Sequence, residues 1–447
     1  MFRKVLIANR GEIAVRIISA CQKLGIATVA VYSEADREAL FVQQADEAVC
    51  IGPANAMDSY LNREAILMAG VNTNADAVHP GYGFLSEDDL FAKMCAECGI
   101  TWIGPQPALI HDFSDKTNSR TLAEKCGLPI IPGSGMITSE PQLYAKANAL
   151  GYPVLLKASH GGGGKGIRLV HSAKELFDKY QLVKEEAGAS FLDGAIYLER
   201  AFEDARHIEV QVLGMPDQLL ILGDRDCSLQ KNRQKIIEES NAQILTKAER
   251  TILYKLVHQL LDKSHYQSLG TVEFLFVHHQ FYFLEMNTRL QVEHGVTEET
   301  SGIDIVQAQI QVAAGKKLSI QQVEFTGHAI ECRLNSENEA SHHQFETGQL
   351  TQFKLPSGVR VDTGLQKGDV ITPFYDRLLA KIIVSGKTRE AAIEKMKTAL
   401  KQVEVTGVGT NLKQLKQLIN SSQFAENHYH IHSVGKLMEE QSHESYA

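Results

Sequence analysis

Phe283-Leu284-Glu285-Met286-Asn287-Thr288-Arg289-Leu290-Gln291-Val292-Glu293 is the stretch on which the reading of this chain turns. Its odd positions from 285 to 293 run Glu, Asn, Arg, Gln, Glu, and its even positions from 284 to 292 run Leu, Met, Thr, Leu, Val. A period of two sends those sets to opposite faces of a strand. Two carboxylates and an amide oxygen are hard ligands suited to Mg²⁺, and an arginine among them can hold an anion. A polar strand face is ordinarily only solvated, so the surroundings decide. Length sets a limit as well: at about 3.3 Å per residue an unbroken strand would leave Glu285 and Glu293 roughly 26 Å apart. The chain is therefore expected to leave strand geometry soon after Asn287 and fold back, a metal-binding strand leading into an anion-binding loop.

Just upstream, residues 271–276 and 280–286 read as a hairpin around Val277-His278-His279. That pairing would bring Glu273 beside Glu285, and two close carboxylates repel unless a cation neutralises them. Farther back, Lys157 ends an apolar strand and is followed by Gly161-Gly162-Gly163-Gly164 and Lys165. Four glycines cost too much backbone entropy to be filler, but they allow N–H groups close to phosphate oxygens. No Gly-Lys-Ser/Thr follows, so the run is not a Walker A loop. Residues 224–235, dense in positive charge between two apolar strands, are expected to form a polar anion-binding loop. His207, Glu209 and Gln211 make another polar stripe, opposed by Ile208, Val210 and Val212.

The chain opens with a strand (4–8), an amphipathic helix (12–23) and a strand (26–32), a βαβ unit of a doubly wound parallel sheet. Asn9-Arg10-Gly11-Glu12 fills the turn where a dinucleotide-binding domain carries its glycine fingerprint, which disfavours a dehydrogenase. This alternation is expected to end at Ile103-Gly104-Pro105. The middle third carries strand-like segments at 196–198, 207–213 and 218–222, then a helix from 247 to about 266. The last third mixes short strands (328–334, 349–354, 359–362) with a helix at 389–401. The expected fold is thus α/β and α+β: a doubly wound N-terminal domain (1–113), a central domain (114–327) with a mobile lid at about 131–203, and a β-rich C-terminal domain (328–447).

With 447 residues, 44% hydrophobic and 22% charged, the composition is that of a multidomain globular protein. No apolar run approaches the roughly 20 residues of a membrane span, and the N-terminus lacks a secretory pattern. Seven scattered cysteines point to a reducing compartment, so a cytoplasmic location is expected. Cys95 and Cys98 have no second pair to complete a zinc site and read as structural. The net charge of −9 argues against nucleic-acid binding. The terminal His428-x-His430-x-His432 reads as alternation on a short strand.

These motifs resemble the ATP-grasp ligases and, more closely, the biotin carboxylases of acetyl-CoA carboxylase and related biotin-dependent carboxylases. The resemblance runs from residue 2 to about 435. It rests on Asn9-Arg10-Gly11-Glu12-Ile13-Ala14, His79-Pro80-Gly81-Tyr82-Gly83-Phe84-Leu85-Ser86-Glu87, and Lys157-Ala158-Ser159 with its glycine run. Gly223-Asp224-Arg225-Asp226-Cys227-Ser228, Glu285-Met286-Asn287-Thr288-Arg289, Gln291-Val292-Glu293-His294 and Glu331-Cys332-Arg333 complete it. It implies an ADP-forming ligase that carboxylates biotin on a separate carrier protein, with bicarbonate activated as carboxyphosphate. By resemblance Lys116, Lys157, Gly163, Gly164, Glu199, Arg200, Ala201, Phe202, His207, Gln230, Arg233, Glu273 and Leu275 would hold ATP. Glu273, Glu285 and Asn287 would bind Mg²⁺ or Mn²⁺. Lys235, Arg289, Gln291 and the Val292 backbone would hold bicarbonate, with Glu293 as its base. Arg333 would steady the biotin enolate, and Tyr82 would lie near biotin's approach. Lys235, Arg289, Glu293 and Arg333 form the implied catalytic set.

The implied partners are a biotin carboxyl carrier protein, carboxyltransferase subunits and a second copy of the chain, with fatty-acid biosynthesis as the setting for acetyl-CoA carboxylase. No membrane or nucleic-acid partner is expected. Arg233 stands where the family usually has histidine, His160 replaces a glycine, and Gly295 replaces a proline, which should loosen the turn behind Glu293. Phe41 and residues 345–348 and 406–409 also depart from the pattern. No Ala-Met-Lys-Met biotinylation site occurs in the chain, which is why the carrier is expected to be separate. Competing readings are another ATP-grasp ligase and a catalytically silent ATP-binding paralogue.

Overall fold

The computed structural model describes residues 1–158, 166–190, 196–320, 322–338 and 344–437. His160, Gly163 and Gly164 lie outside the described residues, so the expected phosphate loop is not among the elements below.

The chain begins with a five-stranded parallel sheet in the order Glu47–Gly52, Ala27–Ser33, Lys4–Ile7, Ala77–His79, Thr101–Trp102. The helix Gly11–Lys23 packs on it through Ile13, Ala14, Ile17, Ile18 and Cys21, at the i, i+3/i+4 spacing of one helical face. The turn before that helix is tied down by Asn9, whose Nδ2 donates to the carbonyls of Pro80 and Tyr82. The segment 79–87 is thereby fixed against the helix start.

An eight-stranded sheet forms the centre of the molecule. Its order is Gln280–Asn287, Ser268–Val277, Arg206–Gly214, Leu219–Lys231, Gln234–Ser240, His328–Asn335, Leu378–Gly386, Arg360–Asp362, and every adjacent pair is antiparallel. Because Gln234–Ser240 pairs with His328–Asn335, the sheet runs unbroken from the middle third of the chain into the last third. A separate four-stranded sheet (Gly133–Ile137, Ile196–Arg200, Val154–Ala158, Ile167–Val170) carries its own apolar cluster with the helices Glu140–Leu150 and Ala173–Ser190.

Two expectations need correction here. Residues 224–235 are not a loop: they lie in the strands Leu219–Lys231 and Gln234–Ser240, joined at Asn232 and Arg233, both left-handed (φ 49° and 66°). The strands escaped hydropathy because their polar side chains satisfy one another inside the sheet. Arg225 is fully buried, and Asp224 accepts from the Ala242 N–H, Arg250 and Tyr254. The histidines at 428, 430 and 432 lie on no strand; the Ile431 N–H instead donates to the Ala205 carbonyl.

Candidate active site

The hairpin Ser268–Val277/Gln280–Asn287 turns through His278 and His279, both left-handed (φ 48° and 63°), as a two-residue turn between twisted strands requires. Its register sets Glu273 opposite Glu285 and Thr271 opposite Asn287, so the two carboxylates and the amide share one face. Glu273 is crowded with donors. Its Oε1 accepts from Lys235 Nζ (3.1 Å), Asn287 Nδ2 (2.9 Å) and Gln291 Nε2 (2.7 Å), and its Oε2 faces His207 Nε2 at 2.8 Å. Burial alone would raise the Glu273 carboxyl, but Lys235 and His207 hold it well below the usual range. Glu285 is the opposite case. Burial raises its pKa and Glu273 raises it further, and its carboxylate makes no side-chain hydrogen bond among the described residues. A carboxylate with free oxygens facing a second carboxylate and an amide is a donor set that fits Mg²⁺.

Past Asn287 the strand stops, as the length argument requires. The Thr288 N–H and Arg289 Nε donate to the two oxygens of Glu87, at 3.1 and 2.9 Å, while Arg289 Nη2 donates to Asn287 Oδ1 at 2.8 Å. The backbone then turns into the helix His294–Ser301, with Glu293 at its N-cap. One ammonium closes the fold-back: Lys235 Nζ donates to Glu293 Oε1 at 2.5 Å as well as to Glu273, and to Glu209 Oε2 at 2.5 Å. Burial alone would raise Glu293 too, yet Lys235, Arg333 and Arg225 hold it well below the ordinary carboxyl range. Lys235 itself is pushed well up by its three carboxylates, against burial.

Beneath these groups lies Arg225. It donates to Glu209 Oε1 (2.5 Å), Gln211 Oε1 (2.8 Å), Thr297 Oγ1 (2.9 Å) and Gln291 Oε1 (2.8 Å). Gln291 is thus held from both ends of its amide. The Val292 carbonyl accepts from Lys381 at 2.9 Å. Arg333 Nη2 donates to Glu293 Oε2 at 3.0 Å, and the Tyr82 hydroxyl pairs with Glu12. Burial and then Glu12 push the Tyr82 phenol well up, so it stays protonated.

Every site residue expected from the sequence that the structure describes lines a single cavity of about 1740 Å³. At its far end Lys157 pairs with Glu199, Arg120 Nη1 donates to Glu199 at 2.9 Å, and Phe202 stacks on Tyr282 (5.1 Å between centroids). Gln230 Nε2 donates to His207 Nδ1 at 2.6 Å, which leaves His207 Nε2 to donate to Glu273. Arg233 lines the rim with no acidic partner among the described residues; burial alone shifts it, downward.

Sequence reasoning gave no site role to Glu87 or Ile431, and saw Arg225 only within the expected anion-binding loop, His432 only within the terminal histidine alternation, and Glu209 only as part of a stripe. Ile431 and His432 form part of the cavity wall. Glu209 and Arg225 stood in quoted segments, but nothing in the spacing said that they support Lys235 and Gln291.

Comparison with known proteins follows the same outline. Residues 1–110 match the biotin carboxylase N-terminal domain, 115–321 the ATP-binding domain of the carbamoyl-phosphate synthase L chain, and 331–436 the biotin carboxylase C-terminal domain. Over 437 residues the chain is 44% identical to biotin carboxylase 1 of Bacillus subtilis, covering 96% of this chain and 97% of that one. It is 43% identical to the biotin carboxylase of Pseudomonas aeruginosa, with 98% and 99% covered. Among solved structures, the biotin carboxylase domain dimer of Hydrogenobacter thermophilus 2-oxoglutarate carboxylase, in complex with MgADP, ADP and bicarbonate, superposes with a TM-score of 0.92. That domain is 42% identical, with 98% of each chain covered.

Proposed function

The chain belongs to the biotin carboxylase family, and from that premise we propose how its residues divide the work. The protein is an ADP-forming ligase that carboxylates biotin with bicarbonate at the expense of ATP and Mg²⁺. The observation that most supports the division is the Lys235 ammonium, which joins the metal-side carboxylate Glu273 to Glu293.

Glu273, Glu285 and Asn287 are the groups that would hold the divalent ion, whose charge offsets that of the phosphates. Lys235, Arg289, Gln291 and the Val292 backbone receive bicarbonate, and Glu293 accepts its proton. Lys235 and Arg333 lie on Glu293 in this structure and make it a weak base. An anion that draws Lys235 to its own oxygens loosens that hold, so the carboxylate gains basicity when its substrate is present. Arg333 then stands ready for the oxyanion developing on the biotin ureido group, with Tyr82 at the approach. Lys116, Lys157, Glu199, Arg200, Ala201, Phe202, His207, Gln230, Arg233 and Leu275 take the nucleotide.

In the same reading, residues 1–113, 114–327 and 328–447 act as three domains, with 131–203 as the cover over the nucleotide. Biotin arrives on a separate carrier protein in the cytoplasm, a carboxyltransferase takes the carboxyl group on, and the working unit is a homodimer. Among the described residues no helix is long and apolar enough to cross a membrane. The test is ATP turnover by the purified protein with Mg²⁺, bicarbonate and free biotin. Phosphate release that rises when biotin is added and requires bicarbonate is expected; turnover indifferent to both would point to another ATP-grasp ligase.

A further inference from the structure

Arg333 must stay aimed while charge builds on biotin, yet one of its two anchors is a group that changes charge during the reaction. Its Nη2 is shared: it donates to Glu293 Oε2 at 3.0 Å and makes a close ion contact with Glu238. Once Glu293 accepts a proton its hold on the guanidinium weakens, because a neutral carboxyl attracts a cation far less.

Glu238 is differently placed. It lies on the strand Gln234–Ser240, is fully buried, and stands directly opposite Glu331 in the pairing with His328–Asn335. Glu331 and Arg333, two residues apart on that strand, share a face, and Lys381 stands opposite Arg333 on the next strand. The helix His294–Ser301 covers this face: a side-chain carbon on Gly295 would run into Ile383 and come within 3.3 Å of Glu331 Oε2. Glu238 is therefore sealed behind the site, and its one ion contact there among the described residues is with Arg333.

We propose that Glu238 is a positioning residue that keeps Arg333 aimed at the biotin ureido oxygen while Glu293 carries the proton. This rests on the carboxylase reading above and adds to it a residue that touches no substrate.

The charge balance around Glu238 supports the role and supplies a readout. Facing it are Arg333 and Glu331 from the neighbouring strand, Lys235 from its own, Cys227 from the strand on the other side, and Glu293 from the helix start, while Cys332 lies close by on the opposite face. Burial pushes the Glu238 carboxyl up to about 7 against the pull of Arg333, with Glu293 adding to the rise. Glu331, whose oxygens have no hydrogen-bond partner among the described residues, is raised well above the usual range by burial. Glu238 thus holds Arg333 when ionised, and protonating it weakens that hold.

The experiment compares two activities of the full chain across pH: carboxylation of free biotin, and bicarbonate-dependent ATP hydrolysis without biotin. For E238Q, kcat for carboxylation is expected to fall roughly tenfold to a hundredfold while biotin-independent hydrolysis stays within about twofold. The acid limb near pH 7 should vanish from the carboxylation profile of E238Q and persist in E238D. Equal losses in both activities, or an acid limb that survives in E238Q, would overturn the proposal. If E238Q does not fold, the unaltered protein decides. An acid limb near pH 7 in carboxylation alone supports the role, and the same limb in both activities contradicts it. Failure of the unaltered protein to form any carboxybiotin would instead sink the carboxylase reading on which the role depends.

Discussion

Lys235 holds three buried carboxylates at once: Glu209 and Glu293 at 2.5 Å and Glu273 at 3.1 Å. Removing one partner of a buried ion pair typically costs about 3–5 kcal/mol, because the remaining charge stays desolvated. K235Q is therefore expected to lower unfolding free energy by several kcal/mol as well as abolish turnover, which urea denaturation and ATP turnover would show together. E293Q should behave differently. It removes one carboxylate from an ammonium that keeps two others and from Arg333, so stability should fall, but by less than in K235Q, while kcat falls roughly 10²–10⁴-fold, as expected for loss of a general base. Steady-state kinetics with and without biotin would separate the two variants. At this scale the sequence was legible where the partners are neighbours on one hairpin, as Glu273 and Glu285 are. It was not legible where they meet only through tertiary contact. Glu87 and Arg289 lie 202 positions apart, and no periodicity links them.

Among the elements, the Ser268–Val277/Gln280–Asn287 hairpin could be read in advance because its apolar face alternates cleanly. A second hairpin, Leu219–Lys231/Gln234–Ser240, separated from it by the strand Arg206–Gly214, could not, because its inward side chains are charged and paired with one another. Glu239 on that second hairpin illustrates how such an element is held. It accepts from Arg389 Nε (2.7 Å) and Nη2 (2.9 Å) and from the Tyr429 hydroxyl (2.6 Å), and it faces His328 Nε2 at 2.7 Å. Although burial opposes it, His328 and Arg389 hold the carboxyl down to about 2. A group more acidic when folded stabilises fully above the ordinary carboxyl range, and that contribution drains away as pH falls toward about 2. E239Q should accordingly be less stable than the parent at pH 7. The gap in melting temperature should narrow as pH drops from about 4.5 toward 2; a gap constant with pH would contradict this account. The turn behind Glu293, expected to be loose because of Gly295, is instead closely packed: Gly295 sits against Ile383 and Glu331.

For the whole molecule, the cavity is built from parts that no single stretch contains. Lys381 from the last third of the chain contacts Glu12 from the first (3.0 Å) and the Val292 carbonyl from the middle (2.9 Å). The resemblance outlined all three parts in advance, whereas composition and periodicity alone gave the doubly wound start, the metal-binding hairpin and separate elements such as the strand 328–334 and the helix 389–401, with nothing to join them into one cavity. A nucleotide seated in this cavity should stabilise the fold as a unit, by about 2.7 kcal/mol at a hundredfold excess over Kd. With ATP present, chelating Mg²⁺ should remove part of that gain in the parent but almost none in E285Q, as thermal denaturation would report.

The claim on which the rest depends is that one cavity passes a carboxyl group from bicarbonate to biotin. Labelled bicarbonate incubated with ATP, Mg²⁺, free biotin and the purified chain tests it directly. The account predicts labelled carboxybiotin that requires ATP and disappears with E293Q; ADP formation with no label reaching biotin would contradict it.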